Sequence, residues 1–184
     1  MKRFATIAAA CALVLAGAAA AGTDKPTGTT SAEAPYSDAM FFAQAAAGGM
    51  AEVDAGKLAT SKGNSTDVRG FGQKMITDHT KKNAELAALA AKKGVTLPSA
   101  TDAAHQQMLD ELKSLSGDAF DLCYADDMVK GHEKMAALME QAARDSKDAD
   151  IRMFATDTLK AVHAHHALAE NLQRTEMAEA GDND

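Results

Sequence analysis

Three prolines, Pro26, Pro35 and Pro98, are all that punctuate a chain of 184 residues, and the stretches between and beyond them are rich in Ala, Leu and Met. Proline breaks helices and Ala is the best helix former, so these stretches read as long helices. Strand-built sandwiches and barrels need β-branched and aromatic residues between frequent turns. Aromatic residues make up only 4% here and Trp is absent, so an all-α fold with an aliphatic core is expected. The length suits one domain with a sizeable core. A formal charge of -7 argues against nucleic acid as partner, because phosphate binding needs a basic surface.

The start of the chain reads as an address. Lys2 and Arg3 precede an apolar run from Phe4 to Ala16, then small residues ending at Ala21-Gly22. That order is the signature of a secretory signal peptide over residues 1–21. The apolar run is too short and Ala-rich for a membrane span, so no transmembrane span is expected in the mature chain. Cleavage near Ala21 removes Lys2, Arg3 and no acid, making the charge more negative. Lipidation at Cys11 is the lesser alternative, because apolar residues continue well beyond it. The expected location is periplasmic or envelope-associated. Cys123 is then the lone thiol and cannot form an internal disulfide; it reads as a small buried hydrophobe, with an intermolecular disulfide as the alternative.

Residues 22–37, rich in Thr, Gly, Pro and Ser, read as a flexible linker. The bundle domain is expected over 38–177, with an acidic tail over 178–184. Its first long helix runs from Asp38 to Lys62 and its second from Thr66 to Lys93, ended by Gly94. A short helix from Thr101 or Asp102 to Leu115 follows, then long helices from Asp118 to Ser146 and from Asp148 to Met177. Short turns join the first two and the last two long helices, so each pair is an antiparallel hairpin. The longer connection between the pairs permits the second and third long helices to run parallel. One long crossover in a four-helix bundle is a ferritin-like arrangement; a plain up-down bundle is the alternative. Glycines inside the helices, among them Gly48, Gly49, Gly56, Gly70, Gly72 and Gly131, read as marks of close packing.

Polar residues interrupt the apolar stripes one per helix. Glu52 shares a face with Phe41, Ala45 and Gly56; His79 lies in line with Phe71, Met75 and Leu86. His132 follows Phe120, Tyr124 and Met128, and His165 follows Ile151, Phe154 and Val162. All four fall within about two residues of their helix midpoints, or roughly 3 Å at 1.5 Å rise per residue. Midpoints stay level whichever way each helix points. One Glu and three His in one layer form a candidate site for one transition-metal ion, zinc, copper, iron or nickel. A buried hydrogen-bonded network of the same groups is the competing reading.

Neighbouring residues refine this picture. Met75, Met128 and Met135 could offer thioethers to copper, though core packing is the plainer role. Asp78 and Glu133 adjoin the central His residues and read as supporting partners or as surface charges. His163 and His166 could chelate a surface ion, or belong to a solvated face. Glu-x-x-His pairs are missing: Ile76, Val129 and Val162 stand three before the His residues, which disfavours a di-iron centre. Four protein ligands would close the sphere, and no Ser/His/Asp set or Gly-rich loop is present, which points away from an enzyme.

Combined motifs carry a family resemblance across residues 38–174. They are Gly49-Met50-Ala51-Glu52-Val53 with Gly56-Lys57-Leu58-Ala59, then Met75, Asp78-His79, Asn83 and Leu86. Gly117, Phe120-Asp121, Tyr124, Met128-Val129 and His132-Glu133 follow, with Leu159 and His165 at the end. The chain resembles the secreted bacterial proteins of domain of unknown function 4142, often labelled outer-membrane proteins. Lys160 and Val162 stand where that pattern has Pro and Leu, leaving His165 in register. The resemblance implies export and a ferritin-like helical fold, and brings no established activity. Two functions are therefore expected as alternatives. One is an envelope metal-binding or redox-stress protein; the other is a non-catalytic helical module that binds a partner protein or forms a homo-oligomer around its polar layer.

Overall fold

The computed structural model describes residues 35–182, nearly all of them in a unit that begins at Tyr36. The signal segment, most of the linker, Cys11, Asn183 and Asp184 lie outside the described residues. Five helices, and no strand among those residues, make up the fold: α1 (Asp38–Lys62), α2 (Thr66–Lys93), α3 (Ala103–Ser114), α4 (Gly117–Asp145) and α5 (Ala149–Asp182). α5 continues past the expected end at Met177, since Ala178, Glu179 and Ala180 all favour helix. No helix among the described residues is long and apolar enough to cross a membrane.

The helix ends follow local chemistry. Ser37, Ser65 and Asp102 accept backbone N–H bonds from Met40, Val68 and His105 at 3.2, 3.0 and 2.9 Å, satisfying donors that a helix start leaves free. Gly94 ends α2 at φ 67°, a left-handed conformation that only glycine adopts without strain, and Val95 N–H bonds back to Ala90 O at 2.9 Å.

Contacts at the two ends of the bundle set the helix directions. At one end the α1–α2 turn meets the start of α4 and the end of α5. Asp121 accepts from the backbone of Asn64 and Ser65 at 2.9 and 2.6 Å, and Ser65 Oγ donates to Glu176 at 2.7 Å. At the other end Ser146 bonds Asp38 at 2.8 Å, and Lys93 pairs with Asp148 and Asp150 at 2.5 and 2.6 Å. These contacts require α1 and α5 to run one way and α2 and α4 the other. The 94–116 connection therefore travels back along the bundle, with α3 packed on α1 and α4. The parallel pair and single long crossover expected from the connection lengths are present.

Aromatic residues sit toward the ends and leave the middle to smaller groups. Phe41 packs edge-on against Phe42 and Phe154, while Phe120 stacks on Tyr124 at 6.0 Å. α1 and α2 approach at glycine: a Cβ on Gly56 would meet Gly72 O at 2.7 Å, and one on Gly72 would meet Ala59 Cβ at 2.7 Å. Gly70 is a correction to the packing reading, because nothing lies within 4 Å of where its Cβ would be. Alanine should therefore act oppositely at the two sites. Gly56→Ala should lower unfolding free energy by about 1–3 kcal/mol through overpacking. Gly70→Ala should raise it by about 0.5–1 kcal/mol through helix propensity. Urea denaturation of both variants checks the pair; equal effects would contradict the close approach of α1 and α2.

Candidate metal centre

Three helices each deliver one imidazole to the middle of the core. His79 comes from α2, His132 from α4 and His165 from α5, with 7%, 1% and 3% exposure. Their ring centroids are 5.7, 5.4 and 5.4 Å apart, a nearly equilateral triangle. One potential ligand atom from each lies within 4.8 Å of the other two. Atoms so spaced lie at most about 2.8 Å from a common centre, against the 2.0–2.1 Å of a zinc–imidazole bond. A side-chain movement under about 1 Å closes that difference.

Hydrogen bonds decide which nitrogens are engaged. His132 Nδ1 lies 2.8 Å from Met128 O, which can only accept, so Nδ1 carries the proton. His165 Nε2 lies 2.8 Å from Asp78 Oδ2. Partial burial opposes ionisation of Asp78, but hydrogen bonds from Lys74 and His165 outweigh it and hold its carboxyl below the usual range. Asp78 is thus a carboxylate, and His165 donates to it from Nε2. The remaining atoms, His132 Nε2, His165 Nδ1 and His79 Nε2, are buried with no protein partner. An imidazole anchored through one nitrogen and bare at the other is the usual state of a metal-ligating histidine.

Burial favours the neutral form of His79 and of His165. Burial, then the nearness of His132 and His165, lowers the His79 pKa to about 3, with Asp78 opposing only weakly. Burial likewise lowers the His165 pKa, and the Asp78 hydrogen bond restores part of it. A neutral imidazole has its lone pair available, so no proton needs to leave before a cation binds.

Glu52 is placed beside the trio and outside its set of converging atoms. Its Oε1 lies 3.9 Å from His132 Nδ1, the nitrogen that faces Met128 O. Register is the reason: Glu52 turns toward α3 and α4, where it lines a cleft of about 310 Å³ with Gly48, His105, Asp127 and Met135. Burial raises its carboxyl pKa, with His132 and His105 pulling the other way, and Oε2 has no protein partner. Asp127 in the same cleft is pushed up to about 7, first by burial and then by repulsion from Glu111 and Asp126.

The other sequence candidates separate cleanly. Asp78 is the supporting carboxylate, whereas Glu133 is exposed on the surface, 3.6 Å from His166. His163 is exposed and belongs to the solvated face. Met75 and Met128 are buried core residues. What Met128 offers the site is its main-chain carbonyl, which no sequence pattern announces. Cys123 is buried and in no disulfide, with its Sγ 3.9 Å from Asp127 Oδ2. Sequence reasoning missed the structural role of Asp121, whose bonds to the α1–α2 turn cross between elements far apart in the chain.

One family model matches residues 23–172; its description is domain of unknown function (DUF4142). No curated protein and no solved structure matches this chain.

Proposed function

We propose that this chain, which belongs to the DUF4142 family of unknown function, is an exported helical-bundle protein that binds one transition-metal ion through His79, His132 and His165. The observation that carries the reading is that three buried imidazoles bring ligand atoms within 4.8 Å of one another, and each has a nitrogen without a protein partner. A purely structural polar layer would use those atoms in hydrogen bonds, because leaving them bare costs free energy. Two of the three rings are also oriented from behind, by Met128 O and by Asp78. Imidazole donors suit zinc, copper, nickel and iron better than calcium or magnesium. An envelope role in metal handling or redox stress is consistent with export, which rests on Lys2-Arg3 and the small-residue end of the leader.

The test is elemental analysis of protein from the exported fraction, followed by titration of the chelator-stripped protein with zinc, copper and nickel. One equivalent should bind and raise the thermal midpoint, because binding favours the folded state. Mass spectrometry of the same material should show a start near Gly22. Absence of any transition metal above background, and of any thermal shift, would leave the helical interaction module as the surviving function.

A further inference from the structure

Three imidazoles leave the coordination sphere of every metal named above incomplete, since even zinc prefers four donors. Glu52, the carboxylate expected to supply the fourth, lies outside the converging set, with Oε1 3.9 Å from His132 Nδ1. His79 and His165 form part of the wall of a small hollow lined by residues of α1, α2, α4 and α5. Its volume is about 30 Å³, enough for one water or a two- to three-atom ion.

The lining is mostly apolar, and polar side chains from two helices are part of it. Asn83 lines it from α2, and Thr158 from α5. Thr158 Oγ1 is buried with no protein partner, on a residue only 7% exposed. A hydroxyl left bare in a core calls for a guest with which to hydrogen-bond. Gly49 makes room for Asn83: a Cβ there would fall 2.0 Å from Asn83 Oδ1. Lys82 also lines the hollow, but its ammonium is held by Glu85 at 2.7 Å, so the charge of the bound ion is what favours an anionic guest. Asp78 lines it too, but its carboxylate is already engaged by His165 and Lys74.

We infer that the fourth position on the His79/His132/His165 ion is an exchangeable site for a small exogenous ligand, water or hydroxide at rest and a small anion in exchange, seated in the hollow that Asn83 and Thr158 line. The inference rests on the metal-binding reading and adds the class of ligand. An ion with such a position can activate water or accept a small anion, which a closed four-ligand site cannot do.

Paramagnetic resonance of the copper(II)-loaded protein separates the two claims. Three equivalent-scale nitrogen couplings establish the trio as ligands. In water enriched in oxygen-17, line broadening should then report a coordinated solvent oxygen, and azide should produce a ligand-to-metal charge-transfer band. Imidazole, too large for the hollow, should add no fourth nitrogen coupling. Thr158→Val should keep the three nitrogen couplings and weaken azide binding about tenfold, the worth of one lost hydrogen bond. Three nitrogen couplings with neither broadening nor an azide band would overturn the inference and leave metal binding intact. Ready binding of imidazole would also overturn it, by placing the open position outside the hollow. Failure to see three nitrogens would sink the metal reading itself.

Discussion

His132→Ala should lower transition-metal affinity more than a hundredfold, while Glu52→Gln should change it by less than about tenfold. Both residues are buried in the same layer, so burial alone does not separate them. Geometry does. His132 belongs to the converging trio and its Nε2 is bare, whereas Glu52 lies outside the trio with Oε1 3.9 Å from His132 Nδ1. Asp78→Asn should fall between the two, costing about 10–100-fold, because a carboxylate behind a ligating imidazole fixes its orientation and raises its basicity. His166→Ala should be silent, as that ring lies against surface acids. Calorimetric titration with zinc at fixed pH gives all four affinities. A loss for Glu52→Gln as large as that for His132→Ala would place Glu52 among the ligands and refute the three-histidine site.

Acid should destabilise the metal-free protein early, and His79 should account for much of the effect. Its pKa is about 3 in the fold, against about 6.5 for a free imidazole in the unfolded chain. The unfolded state therefore takes up this proton first as pH falls. Stability from this group is complete above about 6.5 and is lost progressively as pH drops toward 3. By pH 5 the loss should reach roughly 2 kcal/mol, at about 1.4 kcal/mol per pH unit. Urea denaturation at pH 7 and pH 5 measures it, and the His79→Gln protein should show a correspondingly smaller drop. The same drop in both proteins would show that His79 titrates normally. Bound metal should suppress the loss until the ion is released, since the cation competes for the same lone pair.

The long helices were readable from the chain because their signals are local. Ser37, Ser65 and Asp102 sit where caps belong, Gly94 sits where a left-handed end belongs, and α1 and α2 begin and end as expected. The layer of His79, His132 and His165 was readable too, because helical periodicity assigns each residue a face and helix midpoints assign it a height. Glu52 satisfied the same two criteria and still fell outside the trio. Periodicity resolves a face to about a third of a turn, which leaves open which neighbouring helix that face meets. α1 turns Glu52 toward α3 and α4, and the sequence carries no measure of that rotation.

By itself, then, the sequence determined an all-helical fold, the two hairpins and the long connection between them, and the level at which polar groups enter the core. Those follow from backbone propensity, caps and connection length, all of which act within a few residues. Tertiary packing decided that His165 faces Asp78 on another helix, and that Met128 contributes its carbonyl. It also decided that Asp121 ties down the α1–α2 turn and that Asn83 and Thr158 share a hollow with two of the histidines. These are meetings between residues far apart in the chain. Their distances depend on helix rotation and separation, which emerge only when side chains of several helices fill the same space at once.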